Sequence, residues 1–148
     1  MRVFDLLVAT LAVACAASKP PVEPPAAPPV TADDVRILER ASALLADESR
    51  WNRADTRECP PGATRWSLFC ALHDASIEVL GHYQHRRAAL EEVRLVIEER
   101  TRGQEFAHRL MDFNNLPSTT LADLHAVLSA AKRRVAERLN RPAARPSD

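Results

Sequence analysis

Residues 64–80 read TRWSLFCALHDASIEVL, and this stretch decides the fold. Trp66, Leu68, Phe69, Cys70, Leu72, Ile77, Val79 and Leu80 recur at three and four positions, and no period of two survives for a strand's length. A helix from about Thr64 to Leu80 with so little polar face belongs at the centre of a bundle. Gly81 follows, where a helix end calls for a left-handed residue.

Outward from it, the remaining chain from 31 to 141 also reads as helix, so the fold class is all-α, a compact bundle of about five helices. Thr31 with Asp34 forms the first capping signal, and Val35, Leu38, Ala41 or Ser42, and Leu45 follow as the buried stripe. Residues 50–63, with Trp51, Cys59 and Pro60-Pro61, make a loop long enough that it either folds onto the body or carries function. A third helix is expected over about Gln84 to Arg102 and a fourth over Glu105 to Phe113, ending at Asn114-Asn115-Leu116-Pro117. The last opens at Thr119 or Thr120, with Asp123 in the capping-box position, and runs to about Asn140. Its Leu121, Leu124, Leu128, Ala131 and Val135 stripe is expected to pack on the second helix.

The N-terminal third is of another kind. Arg2 precedes an apolar run from Leu6 to Ala17, too short to span a bilayer, so residues 1–17 read as a secretory signal. Ala12-Val13-Ala14-Cys15 resembles a bacterial lipobox, in which Cys15 is lipidated and becomes the mature N-terminus. Against this, Ala12 stands where Leu is preferred and Asp5 offsets Arg2; ordinary cleavage around Ala14 to Ala17, or an apolar start on a cytoplasmic protein, are the alternatives. Residues 18–30 hold six of the eleven prolines and no glycine, a composition that favours extended polyproline II and gives a tether of roughly 40 Å. Residues 142–148 form a disordered tail.

If Cys15 carries lipid, Cys59 and Cys70 are left as an even pair. One reading is a disulfide in an oxidising compartment, contributing about 2.5 to 3 kcal/mol by loop closure. The other is two independent small side chains, one in a loop and one in a core helix.

Twenty basic residues balance twenty acidic ones, which removes the electrostatic case for a nucleic-acid partner. No Gly-rich phosphate loop and no G-x-S-x-G occurs. His82 and His85 are three apart, but a third ligand is lacking unless Glu78 serves, so no metal site and no cofactor is expected. His108 and Asp112, four apart, read as an exposed pair before an oriented general base. Asn114, Asn115, Thr119 and Thr120 are the best polar cluster, and helix ends need such groups for their orphaned amides and carbonyls. The basic run Lys132, Arg133, Arg134, Arg138, Arg141 and Arg145 complements a helix C-terminus, with anionic headgroups as the alternative partner.

On these residues the chain from about Val35 to Val135 resembles a bacterial family of small helical domains, domain of unknown function 6197. The family carries an early loop Trp, a central W-C-A-L-G-A-L helix, a W-N-D element, and a Thr before a leucine-rich last helix. Trp51, the run Trp66 to Leu72, Phe113-Asn114-Asn115, and Thr120 with Leu124, Val127 and Leu128 stand at those places. Ser67 replaces the family's Cys, Cys70 a Gly, Phe113 the second Trp, and Asn115 the Asp, so any chemistry of that carboxylate is lost here. The resemblance implies an all-α fold, supplies no activity, and does not imply export.

The leading expectation is therefore an envelope-tethered interaction or accessory module, periplasmic or lipid-anchored through Cys15, without catalysis and with an unidentified protein partner. The alternative is a small-molecule-binding or enzymatic helical domain, cytoplasmic if the signal is absent. Its pocket would lie between the Trp51 loop and the Asn114 to Thr120 turn, with Trp51, Trp66, His108, Asn114, Asn115 and Thr120 as ligand or partner residues.

Overall fold

The computed structural model describes residues 28–141. The signal-like segment with Cys15, the tether as far as residue 27, and the tail 142–148 lie outside the described residues. Five helices carry the fold: α1 (Ala32–Leu44), α2 (Leu68–Leu80), α3 (Ala88–Arg100), α4 (Arg109–Asn115) and α5 (Leu121–Asn140). A single 3-10 turn, Glu48–Arg50, follows α1, and no strand occurs among the described residues.

Thr31 caps α1 as the spacing requires, its hydroxyl accepting from the Asp33 amide while Asp34 Oδ2 accepts from the Thr31 amide at 2.9 Å. The same carboxylate reaches across to α3. Asp34 Oδ1 accepts from the Ala89 amide at 3.0 Å, and Arg87 closes a buried ion pair on it at 2.8 Å. One acid thus satisfies donors at two helix starts, and Arg87, the residue that precedes α3, makes no side-chain cap of its own.

The buried face of α1 is broader than one stripe. Ile37, Leu38, Ala41, Leu44 and the following Leu45 are inside, while Val35 and Ser42 are only half-buried. The reason is packing on two sides: α1 lies against α2 and against α5, and α3 also touches it. α1, not α2, is therefore the central helix. On α2 the small residues Ala71, Ala75 and Ser76 are buried, but Ile77 is 41% exposed. α5 packs on α1 and α3, not chiefly on α2 as its stripe had suggested, and buries Leu121, Leu124, Val127, Leu128, Ala131 and Val135.

Three helix starts come later than expected: α3 begins at Ala88 rather than Gln84, and α2 and α4 are each delayed for a local reason. Trp66 is not helical; its amide donates to the Arg50 carbonyl at 2.7 Å and its carbonyl accepts from the Asn52 amide at 2.9 Å. That short bridge between Trp51 and Trp66 holds the chain extended until Ser67, whose hydroxyl accepts from the Cys70 amide and starts α2. α4 starts at Arg109 rather than Glu105 and runs on through Asn114 and Asn115. Asp112 reaches back to the His108 amide at 2.8 Å, so the acid, not the run of apolar side chains, sets the entry.

Charge pairs tie the helices on the outside. Arg40 of α1 meets Glu78 of α2, and Arg134 and Arg138 of α5 meet Glu99 and Glu92 of α3. Lys132 lies 3.4 Å from Glu39 of α1. Three members of the C-terminal basic run therefore face carboxylates of neighbouring helices rather than only the end of their own. Arg138 also donates to the Pro28 carbonyl at 2.8 Å, which brings the start of the described chain against the end of α5.

Candidate functional site

The long loop between α1 and α2 folds onto the body because Trp51 is drawn fully inside. Its indole N–H donates to Asn114 Oδ1 at 2.8 Å, and the Leu68 amide donates to the same oxygen at 3.0 Å. Asn114 Nδ2 donates in turn to the Asn52 carbonyl at 3.0 Å. The guanidinium of Arg53 covers the indole, 4.3 Å from its centre. Asn115 clamps the next stretch of loop: its Oδ1 accepts from the Asp55 amide at 2.8 Å and its Nδ2 donates to the Asp55 carbonyl at 2.9 Å. An amide side chain carries the acceptor and the donor that this takes on separate atoms.

These contacts correct the pocket expected from sequence. Trp51 and Asn114 have no exposed surface and occupy the space between the loop and the α4 end, so neither offers itself to a ligand. Trp66 is half-buried, with its indole N–H on Asp74 at 2.9 Å. Thr120 caps α5, its hydroxyl accepting from the Asp123 amide, and Thr119 donates to the Phe113 carbonyl at 2.7 Å. Of the six candidate residues, His108 alone faces a cavity.

That cavity, about 150 Å³, opens one layer further out, where the loop, the first turn of α2, the α2–α3 turn, α3 and the start of α4 meet. Phe69, Leu110 and Met111 form its apolar wall. Arg57 and Arg94 bring guanidiniums to it, beside His108 and His85, and Arg109 and Tyr83 complete the lining. Among the described residues no carboxylate lines it. Arg94 and Arg109 have acidic partners behind them, Glu91 at 3.3 Å and Glu98 at 3.0 Å. Arg57 has none among the described residues; its guanidinium lies 3.1 Å from His108 and 6.0 Å from the centre of the Phe69 ring.

Arg57 is held there against backbone preference. Its φ of 64° is the only positive value outside glycine among the described residues. Asp55 Oδ1 accepts from the Arg57 amide at 2.7 Å, which fixes the turn, and Asp55 is itself buried under the Asn115 clamp. Two residues on, Cys59 is joined to Cys70 in α2 with Cα atoms 5.3 Å apart. Clamp, turn and bridge flank one projecting cation.

The aromatic side is equally constrained. Tyr83 meets Phe69 edge-on at 6.1 Å and lies 4.8 Å from the His73 ring, which Asp74 holds at 2.9 Å. Burial raises the Tyr83 phenol above its ordinary pKa, with Arg94 and Arg57 working against it. Burial and the neighbouring Arg94, Arg86 and Arg57 hold His85 below the usual imidazole range, while Glu91 opposes them. The cavity is thus cationic from its arginines, with a His85 that resists adding another charge. Such a set can hold and orient an anion; neither His85 nor His108 is aligned by a carboxylate on its ring among the described contacts, as a general base would need.

A larger hollow of about 540 Å³ runs beside Arg133 and Arg141, but α5 and the residue after it line it alone, so it is surface relief. Among the described residues no group of three or more His, Cys, Asp or Glu could hold a metal ion. Glu78, the nearest third ligand the sequence offered to His82 and His85, is engaged by Arg40. Sequence reasoning missed Arg57, Tyr83, Arg94 and Arg109 as partners, since they come from separate segments and no local spacing links them. The nearest signal was His85, read only as a weak metal ligand.

Residues 29–134 match the family described as Family of unknown function (DUF6197). No curated protein and no solved structure matches the chain.

Proposed function

The chain belongs to that family of unknown function, DUF6197, and from this premise we propose that it is an exported binding module, tethered to the envelope and without catalytic activity. The Cys59–Cys70 bridge carries the reading, because disulfides persist in oxidising compartments and are rare in the cytosol. The sequence before the domain agrees with it: a signal-like segment, a lipobox-like cysteine at Cys15, and a proline-rich spacer, in that order. Lipid on Cys15 would hold the domain at a membrane surface, facing a protein partner or a soluble ligand.

Intact mass and membrane fractionation of the protein expressed in a Gram-negative host, beside a Cys15→Ser control, test it. A diacylated chain starting at Cys15, lost from membranes in the control, is the expected result. An unprocessed, soluble chain with reduced thiols would overturn it. The second reading, a cytoplasmic small-molecule-binding domain, would then lead, since the arginine-lined cavity favours a ligand in either compartment.

A further inference from the structure

We propose that the cavity between the α1–α2 loop and α4 binds a small oxyanion, a carboxylate or phosphate, carried on a flat apolar body. The inference rests on the cavity and not on export, so the two stand or fall separately.

Charge names the head group. Guanidiniums from two separate segments, Arg57 beside His108 and Arg94 beside His85, converge on one depression that Arg109 also lines and that, among the described residues, no carboxylate lines. Arginine suits planar oxyanions because its donors match two oxygens at once. Arg94 and Arg109 are each half-answered from behind by a glutamate, but among the described residues Arg57 has only the His108 imidazole and an aromatic ring nearby. An incoming anion supplies the charge that Arg57 lacks.

Shape names the body. Phe69, with Leu110 and Met111, gives an apolar wall, and Tyr83 stands edge-on to Phe69. About 150 Å³ gives room for one aromatic ring with its acid group.

Strain says that the site is built. A left-handed arginine is unfavourable by roughly 1 kcal/mol or more, and persists only where its surroundings fix it. Here Asn115 clamps Asp55, Asp55 fixes the turn, and Cys59 anchors the exit. The Arg57 side chain is exposed, and what the turn achieves is to aim its guanidinium at the cavity, beside His108 and Phe69.

The test is a titration of the full chain, disulfide intact, at low salt, followed by amide NMR shifts. Phenylphosphate and benzoate are the probes, with benzyl alcohol and inorganic phosphate as controls that each lack one half of the ligand. Saturable shifts at Phe69, Tyr83, Arg94 and Leu110 are expected from both probes, with both controls at least about tenfold weaker. Arg57→Gly relieves the positive φ, so its melting temperature should equal or exceed the parent's while probe affinity falls about tenfold or more. Arg94→Gln gives a second, independent loss. Absence of saturable binding by either probe overturns the proposal. Equal binding of benzyl alcohol removes the oxyanion, equal binding of inorganic phosphate removes the apolar body, and full affinity in Arg57→Gly removes the site.

Discussion

The indole of Trp51 and the amide of Asn114, sixty-three residues apart, form a fully buried pair through an N–H···O bond of 2.8 Å. The same Asn114 oxygen takes the Leu68 amide at the start of α2, so one side chain closes the loop and the helix together. Asn114→Ala would strand two buried donors at once. We expect a loss of about 2 to 4 kcal/mol and a melting temperature lower by roughly 10 °C. An unchanged midpoint in a thermal melt would show that Asn114 does not hold the loop. Trp51→Phe, which removes the donor but keeps most of the ring, should cost clearly less.

Asp34 offers a harder test of the bundle. It is buried, paired with Arg87, and accepts from the Thr31 and Ala89 amides. Asp34→Ala leaves the Arg87 charge uncompensated and the Thr31 and Ala89 amides without their acceptor, for an expected loss of about 3 to 5 kcal/mol. Replacing both partners with leucine should cost less than Asp34→Ala alone. Urea titration reads both variants, and a double variant as unstable as the single one would place the effect in the caps rather than in the unpaired charge.

These two sites show what the sequence carried and what it could not. Thr31 with Asp34, Thr120 with Asp123, and Gly81 after α2 are local signals, and each stands in the structure where its spacing put it. The second job of Asp34, on α3, is invisible in spacing because it lies fifty-five residues along the chain at Ala89. Trp66 misled for a related reason: its apolar side chain fits a helix stripe, but its backbone is taken by Arg50 and Asn52. Arg57 gave no sign at all. Its importance lies in a φ of 64° and in neighbours from other segments, neither of which a string of residue types encodes.

Removing the bridge should act on stability and on the cavity together. Cys59→Ser with Cys70→Ser, or reduction of the parent, is expected to cost about 2.5 to 3 kcal/mol in denaturant titration. Because Cys59 anchors the chain just beyond Arg57, the reduced protein should also bind phenylphosphate more weakly under conditions where it remains folded. Full affinity after reduction would mean that the Asp55 turn and the Asn115 clamp position Arg57 unaided.

His85 gives the cavity a pH dependence of known sign. Tyr83, Arg94, Arg86, Arg57 and Glu91 face it, and burial with the three arginines lowers its folded pKa below 6.5, against Glu91. Protonation therefore favours the unfolded chain, and stability attributable to His85 falls as pH drops below the unfolded value toward the folded one. A bound anion reverses part of that shift, so binding takes up a proton and benzoate affinity should rise from pH 7.5 to about pH 5.5. The imidazole proton signals, followed with and without benzoate, report it directly. A flat affinity profile, or one that His85→Gln leaves unchanged, would take His85 out of the site.

Arg138 near the end of α5 holds the carbonyl of Pro28, four residues before α1 begins. The described domain is thus nearly a closed ring in space, entered and left at one corner. Residue 141 could be joined back to residue 28 by a short linker and the chain cut anew in the exposed turn at Gly103, with every helix, the bridge and the cavity kept in place. The order in which the five helices are connected is separable from the way they pack.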